Sequence, residues 1–316
     1  MKNFRLIYFF VAFVFLISCI SETPTIMEDP KDYVLGKNAF TLTVDGIERE
    51  YFVHVPSGFD KNIPAPVVFM LHGTSGNGEK FYNISGWKEV GERENILTVY
   101  PSSWRHCVIK DGQRQNTTKW HVYPSRFEYC EGETPLDDVA FLRGVIDSMI
   151  QRFHIDEKRI YMVGFSNGGE MVSRCAVELS DRLAAVVMAS GVNLEGNMHT
   201  PKRLLPVTVQ VGTIENFDTP LDIKDFEKLI TSPSENHIDE LLKSVRSTFL
   251  FKEGYKISGH PDTLQIASFP AQSGNKKREL RFMMINNMPH MYPNGIKYPF
   301  KAAEEHWSWL KQYTLP

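Results

Sequence analysis

The chain has 316 residues, 42% of them hydrophobic and 23% charged, with a formal net charge of −3. That size and balance fit one large globular domain and exclude collagen, repeat arrays and intrinsic disorder. Lys/Arg and Asp/Glu are spread along the chain without a basic block, so no nucleic-acid partner is expected.

In chain order, Lys2 and Arg5 head an apolar run from Leu6 to Ile17 that is too short for a comfortable membrane span. Residues 1–18 therefore read as a signal peptide. Their end, Leu16-Ile17-Ser18-Cys19, resembles a bacterial lipoprotein box, in which the cysteine is lipidated and becomes the mature N-terminus. Cys19 is the expected lipidation site, giving the protein a membrane contact through an N-terminal lipid. A plain secretory signal or short anchor is the alternative. Either places the body of the protein outside the cytoplasm. Residues 19–37 read as a polar tether, leaving 38–316 as one folded domain without an internal repeat.

From Ala39, two alternating segments joined at Asp45-Gly46 predict an antiparallel hairpin. "APVVFMLHG" is a continuous apolar run, as in a strand buried on both faces. A helical stretch around Phe81 to Arg93 leads to a second buried strand in "NILTVYPSS". Cys107 and Cys130 then flank a polar stretch expected to be a loop, which an oxidising compartment would let them close as a disulfide. "DDVAFLRGVIDSMIQRF" carries one apolar helical face, with Asp137 placed to cap it. Beyond lie the short apolar runs "RIYMVGFS", "AAVVMASG", "LPVTVQVGT" and "ELRFMMINN". The alternation predicts an α/β fold: a mostly parallel sheet, helices on both faces, and an antiparallel hairpin at its start. The stretch from Asp218 to about Gln272 is longer than an ordinary connection and is expected to form a cap or side wall over a site.

Ligands of such sheets meet the carboxyl ends of the strands. Ser166 follows "RIYMV", Glu215 and Asp218 follow "LPVTVQVGT", His290 follows "ELRFMMINN", and His72-Gly73-Thr74 follows "APVVFML". A serine hydroxyl becomes a nucleophile when a neutral imidazole takes its proton, and that imidazole needs a carboxylate to fix its tautomer. Ser166, Glu215 and His290 are accordingly the candidate catalytic residues, in the order serine, acid, histidine. Asp218 stays open as the acid, with Asp222 a distant third. Gly164 and Gly168 let the serine stand on a tight strand-to-helix corner. The amides of Asn167 and Thr74 are the candidate oxyanion donors. His72 reads as structural, His260 lies at the wrong end of its strand, and Cys175 reads as a core residue. No Cys/His cluster has zinc spacing, so neither metal nor cofactor is expected.

These residues resemble the polyhydroxybutyrate depolymerase and feruloyl esterase group of α/β-hydrolases. The resemblance runs from about Phe40 to Leu315 and rests on the Asp-Asp-Val-x-Phe helix, the Ile-Asp-x-x-Arg-Ile-Tyr lead, the Gly-Phe-Ser-Asn-Gly-Gly elbow, "LHGTSGN" and "YPSSW". It implies a serine esterase acting on ester substrates, with feruloyl or acetyl groups on polysaccharide as the favoured class. An extracellular polyhydroxyalkanoate depolymerase is the alternative, and a non-catalytic carbohydrate-binding surface lipoprotein the rival from another class. Two departures fall near the pocket. Glu215 stands where relatives carry aspartate, and Tyr292 stands beside His290 where relatives carry tryptophan. Trp104, Trp120 and Tyr292 are the candidate substrate-binding residues, with Trp120 expected to form an aromatic wall for a feruloyl ring and Trp104 more suited to plain packing.

Overall fold

The computed structural model describes residues 33–194, 200–215, 220–233, 237–273 and 277–316. Cys19, the expected signal peptide, most of the expected tether and Asp218 lie outside the described residues. The described residues start at Tyr33, ahead of the expected boundary at residue 38. Tyr33 already packs against Phe59 and Phe153, with ring centroids 5.6 and 4.9 Å apart.

The expected hairpin is β1 (Gly36–Val44) and β2 (Ile47–Val55), paired in antiparallel register around Asp45 and Gly46, whose φ values of 51° and 77° suit a tight two-residue turn. β3 (Ala65–Leu71) follows, then α1 (Gly78–Ile84) and α2 (Trp87–Glu94). The single helix expected around Phe81 to Arg93 is broken in two at Gly86, which takes φ 80°. β4 (Leu97–Pro101) returns to the sheet.

The cysteine-flanked stretch is a small sheet rather than the expected loop. β5 (Trp104–Lys110) and β6 (Gln113–Lys119) pair around Asp111-Gly112, with β7 (Glu128–Tyr129) on the other side of β5. Cys107 and Cys130 are joined by a disulfide with a Cα–Cα distance of 5.4 Å. α3 (Asp138–Arg152) starts at Asp137, whose carboxylate accepts from the amides of Val139 and Ala140. β8 (Ile155–Phe165), α4 (Asn167–Glu178), β9 (Ala185–Ala189) and β10 (Val207–Ile214) complete the parallel core.

The segment expected to cap the site instead widens the sheet. α5 (Phe226–Thr231) and α6 (Ile238–Phe249) bury Phe226, Leu242, Val245 and Phe249 in the main core. β11 (Lys256–His260) and β12 (Leu264–Pro270) then form a hairpin, with β12 antiparallel to β13 (Glu279–Pro289). α7 (Ala302–Leu310) closes the described chain. The sheet order is β1-β2-β4-β3-β8-β9-β10-β13-β12-β11. It is parallel from β4 to β13 and antiparallel at both margins.

Strand alternation divides the buried runs between two cores. Val67, Phe69 and Leu71 of β3 join Ile160 and Met162 of β8 under α3, α4 and α6. Val68 and Met70, with Tyr161 and Val163, face Phe81, Trp87 and Trp307 of α1, α2 and α7. Burial on both faces explains why these strands lack polar alternation. It also leaves their carboxyl ends as the edge at which polar side chains gather.

Candidate active site

Ser166 caps α4 at the end of β8 with φ 55° and ψ −125°, an unusual backbone for a residue with a Cβ. Its amide donates to Ala189 O at 2.8 Å and its carbonyl accepts from Glu170 N at 3.0 Å. The corner closes only because its neighbours lack side chains. A Cβ on Gly164 would lie 2.1 Å from Gly168 O, and one on Gly168 would lie 2.5 Å from His72 O.

The register of β10 and β13 brings the other two groups together. Ile214 pairs with Pro289, beyond an irregularity at Gly212, so the next residue on each strand is Glu215 and His290. Thr213 Oγ1 accepts from Asn287 N at 2.8 Å and helps fix that irregular stretch. Ser166 Oγ donates to His290 Nε2 at 2.9 Å, and His290 Nδ1–H donates to Glu215 Oε2 at 3.2 Å. The Glu215 side chain is only 7% exposed against 28% for His290, so the carboxylate is sheltered and the imidazole is reached from outside. Asp222 is not in this group. Its carboxylate accepts from Lys224 N at 2.9 Å in a turn of its own.

Sequence reasoning missed Ser190. Its Oγ donates to Glu215 Oε1 at 2.5 Å, alongside Gly212 N at 2.6 Å. Ser190 also has φ 52°, and its amide donates to Gln210 O at 2.7 Å. The available signal was a polar residue ending the apolar run "AVVMA" at the same sheet edge as the other polar strand ends.

The expected oxyanion loop lies beside Ser166. A Cβ on Gly73 would come 3.1 Å from Ser166 Cβ, and Thr74, next along, is exposed. Asn167 opens α4, so its amide lies at the positive end of the helix. His72 holds the loop through both ring nitrogens: Nδ1–H donates to Gly73 O at 2.7 Å, and Nε2 accepts from Ser103 N at 2.9 Å. Burial lowers its pKa to about 4, so the ring stays neutral as this pairing requires.

The aromatic assignments need correction. Trp120 is fully buried, so it offers no wall to a substrate. Its indole N–H donates to His72 O at 2.8 Å, and its amide donates to the Asn167 side chain at 2.7 Å. Trp120 thus braces the loop after β3 against the serine corner. Tyr292 is also buried, with its hydroxyl accepting from Trp87 Nε1 at 2.9 Å and facing His306 Nδ1 at 3.0 Å. His306 Nε2–H donates to Gln210 Oε1 at 2.9 Å, so Tyr292 belongs to a buried chain behind His290 rather than to a binding surface. Trp104, whose sequence context suits packing better, is the exposed one at 37%. His260 ends the exposed strand β11 at the far margin of the sheet. Cys175 is buried, and desolvation pushes its thiol well above the ordinary range, which leaves it a core residue.

A sharp serine corner after a central parallel strand, with a carboxylate and a histidine from the ends of two later strands, defines the α/β-hydrolase class. A solved acetyl xylan esterase from Aspergillus awamori shares the fold at a TM-score of 0.56 and 12% identity, covering 87% of this chain and 99% of that one. Residues 50–259 match the family described as Esterase PHB depolymerase, and the chain belongs to that family. Among curated relatives, it is 25% identical over 183 residues to the bifunctional acetylxylan esterase/xylanase XynS20E of Neocallimastix patriciarum, covering 58% of this chain and 24% of that protein. It is 27% identical over 173 residues to feruloyl esterase B of Piromyces equi, covering 53% of this chain and 29% of that protein. The match thus spans under a third of the length of either relative.

Proposed function

We propose that the protein is a serine carboxylic-ester hydrolase in which Ser166 is the nucleophile, His290 the general base and Glu215 the orienting acid. The continuous relay from Ser166 Oγ through His290 to a doubly supported Glu215 carries this reading. Ser166 Oγ attacks the ester carbonyl carbon as His290 Nε2 takes its proton, and Glu215 stabilises the resulting imidazolium. The amides of Thr74 and Asn167 receive the oxyanion. His290 then protonates the departing alcohol, and the acyl group remains on Ser166. Water, activated by the same imidazole, releases the acid and restores the serine.

The substrate class is an acyl ester on polysaccharide, acetyl or feruloyl, supported by family membership and by the names of the relatives. With Trp120 buried, the residue expected to hold a feruloyl ring is lost, so acetyl esters are the first to test. A polyhydroxyalkanoate depolymerase is the second reading, favoured by the family description. Residues 38–316 are the catalytic domain. Residues 1–18 and Cys19 export and anchor it in the cell envelope, and Cys19→Ser should move the protein from the membrane fraction to the soluble one.

The deciding experiment is Ser166→Ala assayed on an aryl acetate with fluorophosphonate labelling. Hydrolysis and labelling should both vanish while the melting temperature holds. Labelling that survives the substitution would place the nucleophile elsewhere.

A further inference from the structure

A groove of about 720 Å³, counting its open mouth, lies along the same sheet edge, on the other side of the oxyanion loop from Ser166. Its lining includes the exposed Trp104, the carboxylates of Glu48 and Glu50, the guanidinium of Arg105, and Thr118. Thr118 ties it to the catalytic side. The Thr118 carbonyl accepts from Ser75 N at 2.8 Å, and its hydroxyl donates to Gly76 O at 2.6 Å. Gly73, at the other end of that loop, is the residue set against Ser166. One short loop therefore separates the groove from the nucleophile.

We propose that this groove is a subsite for the sugar main chain of the ester substrate, an inference that rests on the esterase reading above. An indole surface beside carboxylates and a guanidinium suits a ligand with apolar C–H faces and a rim of hydroxyls, because each hydroxyl both donates and accepts. The charge favours a neutral chain. Arg49, also in the lining, is already neutralised by Asp138 at 2.7 Å, so Glu48 and Glu50 outweigh Arg105 and an anionic ligand is disfavoured. An ester on such a chain would extend over the loop toward Ser166 while its main chain occupied the groove.

The test uses direct binding as well as turnover. Unesterified xylo-oligosaccharide titrated into the Ser166→Ala protein should quench tryptophan emission, and adding Trp104→Ala should weaken binding, measured by calorimetry, about tenfold. In the active enzyme, Trp104→Ala should raise KM for an acetylated xylo-oligosaccharide about tenfold relative to KM for an aryl acetate, at constant kcat. Glu48→Ala, at an exposed position, should move the same ratio in the same direction. Absence of binding to the Ser166→Ala protein, or binding unaffected by Trp104→Ala, would overturn the proposal. So would a rise in KM confined to methyl ferulate, which would make Trp104 a platform for the acyl ring. An enzyme active on aryl acetate and inert on every oligosaccharide ester would refute the polysaccharide substrate, while the binding arm would still decide the groove.

Discussion

Replacing Glu215 by glutamine changes little in shape and should remove nearly all turnover. Oε1 accepts two hydrogen bonds, one from the rotatable hydroxyl of Ser190 and one from the fixed amide of Gly212 at 2.6 Å. A glutamine must keep its oxygen there, since an amide NH₂ facing the Gly212 N–H would set donor against donor. Its NH₂ group then turns to His290 Nδ1, where Glu215 now accepts at 3.2 Å. An NH₂ at that place makes Nδ1 the acceptor and puts the ring proton on Nε2, facing Ser166 Oγ at 2.9 Å. The imidazole can no longer take the serine proton. The expected fall in kcat is about 10⁴-fold, roughly 5 kcal/mol of transition-state stabilisation. Initial rates on an aryl acetate measure it, with the melting temperature as a check on folding. Asp218→Asn should stay within about threefold of the parent. Retention of more than about a tenth of kcat by Glu215→Gln, with a collapse in Asp218→Asn, would refute the reasoning and move the acid.

Ser190→Ala should lower kcat about tenfold at constant KM, and should have no further effect in a Glu215→Ala background; equal losses in both would make Ser190 merely structural. Replacing Cys107 and Cys130 by serine releases a 23-residue separation and should cost about 3 kcal/mol in denaturant unfolding, with activity falling because the hairpin leads directly into Trp120. Acid should destabilise the fold through its buried imidazoles. Burial lowers the pKa of His72 to about 4 and of His306 to about 3, so below about 6.5 the unfolded chain takes up protons that the folded chain refuses. Stability should be full above pH 6.5 and fall toward pH 4, by on the order of 3 kcal/mol for His72 alone. Unfolding midpoints measured from pH 7 to pH 4 should show the decline, and His306→Gln should flatten it.

The parallel core was legible because burial on both faces writes a continuous apolar run, and each run ended in the polar residue that the fold places at the sheet edge. Ser166, Glu215 and His290 could be read that way. Trp120 could not, because its partners His72 and Asn167 are 48 and 47 residues away and its own neighbours in sequence are polar. The hairpin of β5 and β6 is hard to read from sequence although Asp111-Gly112 carries the same turn signal as Asp45-Gly46, since "QRQNTTK" has no apolar alternation to mark a strand. The stretch before β13 is ambiguous in sequence for a different reason. Nothing local in "LQIASFP" says whether it covers a sheet or extends one; the register with β13 decides that.

Ser166 and His290 are separated by 124 residues, and the histidine sits at the end of a strand that must insert between β10 and β12. During synthesis the serine corner and the loop after β3 therefore leave the ribosome long before His290 exists. A nascent chain lacking β13 would carry an unpartnered Ser166 hydroxyl, so on the proposed reading hydrolytic competence waits for the docking of that strand.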